Sequence, residues 1–260
     1  MAQPSAKAHQ QISQAIRTVS ASGRPALVGF LTAGFPSRAR FKNDILAVAS
    51  VCDVVEIGVP FTDPMADGTT IQRASFAALA GGVTLKWIID ELKSLAPRPK
   101  APILLMSYLN PLLAYGLARL PDDAHAAGIS GFIVPDLPFE ESDDLRSALG
   151  KVGLALVQMV TPVTPEARMA ALCAAAQGFV YAVTMTGTTG KSAIVPEDVL
   201  QYMDRVKRHS TVPVCAGFGI RSRDQVERFA SHVDGVVVGS ALVEVLERGS
   251  DPVAFLTSLR

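Results

Sequence analysis

Three carboxylates stand close together in the segment VVEIGVPFTDPMADG (54–68): Glu56, Asp63 and Asp67, with no Lys or Arg between them. Glu56 interrupts an apolar run that reads as a strand. Between Val55 and Ile57 its carboxyl is partly desolvated if the residue faces a core, and desolvation raises a carboxyl pKa. A glutamate titrating nearer neutrality can both give and take a proton, which is the requirement for general acid–base chemistry. The alternative is an internal glutamate paired with a cation from a neighbouring strand. Asp63-Pro64 and Asp67-Gly68 are also turn formers, so local backbone hydrogen bonding explains each taken alone. In company with Glu56, Asp67 gains a second reading: one acid moves a proton while the other stays ionised and stabilises positive charge.

Glycine-rich stretches suggest an anion seat. TGTTG (186–190), GFG (217–219) and GS (239–240) each follow an apolar run. Glycines let backbone N–H groups approach a ligand, and Ser240 is placed to cap a helix whose N-terminus faces the same ligand. Backbone dipoles of this kind hold phosphate without a cation. Tyr181 and Phe30, each inside an apolar run, either line a site or fill a core. Asp136 is as suited to capping a loop as to serving a site, and Trp87 reads as helix packing.

The elements that must position these residues alternate along the chain. Continuous apolar runs at 25–32, 53–59, 101–108, 131–136, 154–160, 179–184, 212–219 and 233–239 read as strands buried on both faces, as in a parallel sheet. Helical stretches lie between them. Residues 143–153 follow a Ser-Asp cap; residues 164–176 open with Thr164 as N-cap and Pro165 in the first turn; residues 196–210 carry a stripe of Val199, Leu200, Met203 and Val206; and residues 222–232 repeat the plan. Ile12, Ile16 and Val19 share one face of a stretch at 10–23, which predicts an extra helix before the first strand. Eight β-then-α units in about 250 residues suit a closed (β/α)8 TIM barrel of the phosphate-binding type. The competing open doubly-wound sheet calls for a G-x-G-x-x-G fingerprint after the first strand, and PALVGFLTAGFP stands there instead. No linker divides residues 1–260, so one barrel domain is expected. The long connections after the second and sixth strands leave the strands' C-terminal ends, where barrels keep their chemistry.

Composition narrows the function. Lys plus Arg is 24 and Asp plus Glu is 24, which suggests no basic surface for nucleic acid. Cys52, Cys173 and Cys215 are few and far apart, and the four histidines lack ligand spacing, so neither a disulfide framework nor a metal site is expected. The polar N-terminus has no signal-peptide character, and no apolar run reaches the roughly 18 residues of a membrane span. A soluble cytoplasmic protein is expected.

Taken together, VEIGVPFTDPMADG, FLTAGFP (30–36), SYLNPLLAYG (107–116), FIVPDLPFEES (132–142), YAVTMTGTTG (181–190), AGFGI (216–220) and GSA (239–241) resemble the tryptophan synthase alpha subunit family through most of the chain. The carboxylate segment is the specific one. The resemblance implies a carbon–carbon lyase that cleaves indole-3-glycerol phosphate to indole and glyceraldehyde 3-phosphate, with Glu56 and Asp67 as the two catalytic carboxylates. It implies that Phe30 and Tyr181 line the indole and glycerol site, that Gly190, Gly219, Gly239 and Ser240 form the phosphate cradle, and that Thr189 helps close the site over Asp67. It implies no cofactor in this chain and a beta subunit partner that carries pyridoxal phosphate, in an alpha2beta2 heterotetramer. Asp63, Pro64, Asn110, Pro138 and Gly187 match positions near that interface. Two departures bear on loop closure: Thr69 stands where the family usually has Pro, and Met185 where Arg or another residue often stands. Other phosphate-handling barrel enzymes would place a Lys or Cys among the strand-end acids, and none stands at those ends. A non-catalytic barrel would have lost Glu56 or Asp67.

Overall fold

In a computed structural model that describes residues 8–184, 195–217 and 219–260, the apolar runs become eight short strands. They are β1 Ala26–Thr32, β2 Val54–Gly58, β3 Ile103–Met106, β4 Ile129–Ile133, β5 Ala155–Val160, β6 Val180–Val183, β7 Val214–Gly217 and β8 Gly235–Val238. Each pairs in parallel with the next, and β8 returns to β1, so the sheet is a closed barrel and not an open one. β4 begins two residues earlier than its apolar run, because Ser130 is buried in the sheet despite its polarity.

Register decides which side chains look inward. A Cβ on Gly29 would strike Val48 and Cys52 on the surrounding layer, so Gly29 faces outward and its neighbours Val28 and Phe30 face the barrel interior. Phe30 lies level with Glu56, and Glu56 with Leu104, which carries the inward orientation across to β2 and β3. On the far side Met159, Tyr181 and Cys215 share one level.

The helices are α1 Ala8–Ser20, α2 Phe41–Ala49, α3 Thr69–Ala80, α4 Leu85–Lys93, α5 Leu109–Tyr115, α6 Leu120–Ala126, α7 Asp143–Lys151, α8 Glu166–Ala175, α9 Glu197–His209, α10 Arg223–Phe229, α11 Ser240–Glu247 and α12 Pro252–Ser258. The long connection after β2 holds a loop and two helices, α3 and α4. The extra helix α1 buries Ile12 and Ile16 completely. Its Ser13 hydroxyl donates to the Gly178 carbonyl and its Arg17 to that of Thr211, both just ahead of β6 and β7, so α1 covers the barrel's N-terminal end. The stripe on α9 is buried as its spacing predicts. Trp87 packs in the helical layer, 5.1 Å from the Phe41 ring and beneath the Arg38 guanidinium.

Helix starts depart from the sequence reading in places. Thr164 does not cap α8: its hydroxyl accepts from the Thr161 N–H, tying the preceding loop to itself, and Pro165 takes the cap position. α10 opens with a reciprocal capping box between Ser222 and Gln225. The three cysteines are buried and unpaired. Among the described residues no helix is long and apolar enough to cross a membrane.

Candidate active site

The C-terminal end of the barrel opens into a cavity of about 930 Å³ whose wall includes Phe30, Glu56, Asp67 and Tyr181 together with Gly219, Gly239 and Ser240. Every sequence-predicted catalytic or substrate-binding residue that lies in the described part therefore meets in one place. Thr189 and Gly190, with the rest of TGTTG, lie outside the described residues, as does Met185.

Glu56 sits at the centre of β2, fully buried, and neither carboxyl oxygen has a hydrogen-bond partner. The ion-paired alternative is thereby set aside. Burial, reinforced by the negative charge of Asp67, pushes its pKa from 4.5 up to about 8. The acid is protonated at neutral pH and stands against the reaction space with its proton available.

Asp67 lies on the loop leaving the same strand. Its N–H donates to the Pro64 carbonyl at 3.1 Å and the Gln72 side-chain amide donates to the Asp67 carbonyl at 2.9 Å, so backbone, not carboxylate, makes the turn. Partial burial raises its pKa from 3.8 to about 6. Glu56 adds nothing to that rise because it is still neutral when Asp67 ionises; the charged Asp67 then holds Glu56 up. Around pH 7 one acid is protonated and the other ionised, the division of labour that two unlike environments produce. Asp63, by contrast, is exposed and accepts from the Thr62 hydroxyl at 2.6 Å, as a turn residue does.

The aromatic walls depend on missing side chains. A Cβ on Gly58 would stand 2.5 Å from the Phe30 ring, and one on Gly217 would stand 2.6 Å from the ring of Tyr181. Both glycines leave room for the inward aromatic of the adjacent strand. Burial carries the Tyr181 phenol well above its ordinary pKa, so it stays neutral and offers an O–H.

Also lining the cavity, Gly219 has φ +62°, a conformation that suits glycine, and Gly239 precedes the first turn of α11. Ser240 does not cap α11. The helix starts at Ser240 itself, Gly239 holds the cap position, and the Ser240 hydroxyl is buried without a partner on the cavity wall. The first N–H groups of a helix have no acceptor within it, so this end of α11 brings free donors and a hydroxyl to the cavity wall.

Asp136 also lines the cavity, but its carboxylate accepts from the Leu109 N–H at 2.9 Å and so caps α5. Of the residues expected near a partner, Asp63, Asn110 and Pro138 are exposed on the connections after β2, β3 and β4, at the site's end of the barrel, whereas Pro64 is buried beneath its loop and Gly187 lies outside the described residues. Sequence reasoning missed Tyr108. Its hydroxyl accepts from the Ala66 N–H at 2.8 Å, one residue before Asp67, and its ring stacks on Phe61 at 5.1 Å. No group of three or more His, Cys, Asp or Glu residues able to hold a metal ion occurs among the described residues.

The family profile described as Tryptophan synthase alpha chain matches residues 16–256. The chain belongs to the tryptophan synthase alpha chain family. It is 43% identical over 247 residues to the tryptophan synthase alpha chain of Nitratidesulfovibrio vulgaris strain DP4, covering 95% of this chain and 96% of that one. It is also 43% identical over 246 residues to the alpha chain of Geobacter sulfurreducens, covering 92% and 93%. Among solved structures, tryptophan synthase of Mycobacterium tuberculosis in space group F222 superposes with a TM-score of 0.88 at 35% identity, covering 95% of this chain and 96% of that one. A structure of the tryptophan synthase a2b2 complex of Pyrococcus furiosus superposes with a TM-score of 0.84 at 33% identity, covering 91% and 98%. In this tryptophan synthase alpha chain barrel, both acids and the start of α11 line the cavity at the C-terminal end.

Proposed function

We propose that the chain is the alpha subunit of tryptophan synthase and cleaves indole-3-glycerol phosphate to indole and glyceraldehyde 3-phosphate in tryptophan biosynthesis. The observation that carries this reading is Glu56: a fully buried, unpartnered acid, with its pKa raised to about 8, lining the same cavity as Asp67 and the helix end at Gly239 and Ser240.

Glu56 gives its proton to the ring carbon that bears the glycerol side chain, and positive charge appears at the indole nitrogen, where ionised Asp67 stabilises it. Glu56, now a carboxylate, takes the proton of the hydroxyl on the adjacent side-chain carbon. That carbon becomes the aldehyde as its bond to the ring breaks, and the bonding electrons return to the ring and restore indole. The two proton transfers together leave Glu56 as it began. Phe30 and Tyr181 wall the indole and glycerol, while Gly219, Gly239 and Ser240 hold the phosphate with N–H and O–H donors; Gly190 belongs to the same cradle, and Thr189 helps close the site over Asp67.

The chain holds no cofactor of its own in this reading. It works in the cytoplasm with a beta subunit that carries pyridoxal phosphate and receives the indole, as an alpha2beta2 assembly. Asp63, Asn110 and Pro138 lie at that interface, Pro64 supports it from beneath, and Gly187 belongs to it.

The test is indole release from indole-3-glycerol phosphate by the purified chain, alone and with a beta subunit. Turnover is expected alone and faster with the partner, and Glu56→Gln is expected to lower it by roughly 10²–10⁴-fold while leaving binding of a phosphate-bearing analogue nearly intact. Full turnover by that variant would remove Glu56 from the chemistry.

A further inference from the structure

Asp67 stabilises positive charge only if its carboxylate is aimed at the ligand, and among the described residues no hydrogen bond or ion pair fixes that carboxylate. Within the described residues its aim comes from its backbone. The loop that bears it is a projecting one: Met65 is 91% exposed and Ala66 is exposed. On the C-terminal side the Gln72 amide holds the Asp67 carbonyl at 2.9 Å. On the N-terminal side the anchor comes from a different βα unit, 42 residues away in the chain, where the Tyr108 hydroxyl accepts from the Ala66 N–H at 2.8 Å.

Tyr108 is well built for that task. It follows β3 at the cap position of α5, is only 7% exposed, and stacks on Phe61 at 5.1 Å with the rings inclined by 28°. Phe61 belongs to the same loop as Asp67, so ring and hydroxyl grip the loop at two points. The Ser107 hydroxyl donates to the Tyr108 carbonyl at 2.9 Å and steadies the backbone from which the ring extends.

We propose that Tyr108 is a positioning residue for the cleavage reaction, its hydroxyl oxygen holding the Ala66 N–H and thereby fixing the direction of the Asp67 carboxylate. This rests on the reading of Glu56 and Asp67 given above. Tyr108 acts through Asp67, so its contribution appears in turnover and vanishes when Asp67 loses its charge. It makes no contribution to the phosphate seat, so affinity for the substrate's phosphate end is unaffected.

Tyr108→Phe keeps the stacked ring and removes the acceptor. Indole release in single turnover is measured for the wild type, Tyr108→Phe, Asp67→Asn, the double variant and Glu56→Gln. The rate of Tyr108→Phe is expected to fall about tenfold, the effect of losing one hydrogen bond, with KM changed by less than about twofold. In the Asp67→Asn background the same substitution is expected to cost less than about twofold, because residues acting as one unit are not additive. Phe61→Leu, which loosens the stack but keeps the hydroxyl, is expected to cost less than about threefold. An undiminished rate in Tyr108→Phe, an equal loss with and without the Asp67 charge, or an equal loss from Phe61→Leu would each overturn the assignment. If Glu56→Gln and Asp67→Asn themselves keep full activity, the cleavage reading falls and Tyr108 falls with it; if both lose activity and Tyr108→Phe does not, only the role of Tyr108 is refuted.

Discussion

Replacing Glu56 with glutamine is expected to stabilise the fold, and by an amount that depends on pH. Glu56 is fully buried without a partner, and its pKa rises from 4.5 to about 8 in the folded chain. Below pH 4.5 the acid is protonated in both folded and unfolded chains and makes no difference between them. Between about pH 4.5 and 8 the unfolded chain has lost this proton and the folded chain keeps it, so stability falls as pH rises; above about 8 the full penalty is present. At 1.36 kcal/mol per pKa unit the penalty is bounded at roughly 4–5 kcal/mol. Glutamine has nearly the same size and no charge, so whatever its unpartnered amide costs is the same at every pH. Urea unfolding of both proteins at pH 4.5, 6.5 and 8.5 would read the difference. The variant's advantage should grow by several kcal/mol from the lowest pH to the highest, approaching but not exceeding ~5 kcal/mol. Parallel stability curves would mean that Glu56 titrates alike in folded and unfolded chains, and the argument for a neutral acid in the site would fail.

Four further outcomes follow from the same geometry. The rate kcat/KM should be bell-shaped in pH, with an acid limb near 6 where Asp67 loses its proton and an alkaline limb near 8 where Glu56 loses its own. Asp67→Asn should cost about 10²-fold in kcat; it should also move the alkaline limb downward, because a like charge beside Glu56 is gone, but not to 4.5, because burial is the larger cause. Gly217→Ala should push the Tyr181 ring out of place, since the new Cβ would stand 2.6 Å from it; a loss of about 1–3 kcal/mol in thermal unfolding and a raised KM would show it. Ile16→Ala, at the opposite end of the barrel, should cost about 2–5 kcal/mol in stability while kcat of the folded protein stays at the wild-type value.

The strands were legible because a parallel barrel buries both faces, leaving continuous apolar runs; the twofold repeat of a strand allowed an inward Glu56 but left the choice of face to the register of β1 and β2. Closure was legible only indirectly, through eight units and the missing dinucleotide fingerprint. Helix starts at Thr164 and Ser240 were not, because a hydroxyl near a helix start has several acceptors and donors within reach and tertiary packing chooses among them. Ser240 is drawn into the wall of the cavity, and Thr164 bonds back to Thr161. Tyr108 left no signal at all, since its partner is a backbone N–H in a different unit and any residue type supplies one. The burial of Pro64 likewise depends on how the loop folds beneath Met65, which spacing does not encode.

The central claim is that Glu56 is a neutral acid poised to give its proton at physiological pH. The measurement that tests it most directly is the carboxyl titration of Glu56 itself, followed by infrared difference between the wild type and Glu56→Gln across pH 4 to 10. A protonated carboxyl band that persists through neutrality and disappears near pH 8, and does so at lower pH in Asp67→Asn, is the predicted result. A band lost near the ordinary 4.5, leaving a carboxylate at pH 7, would contradict it.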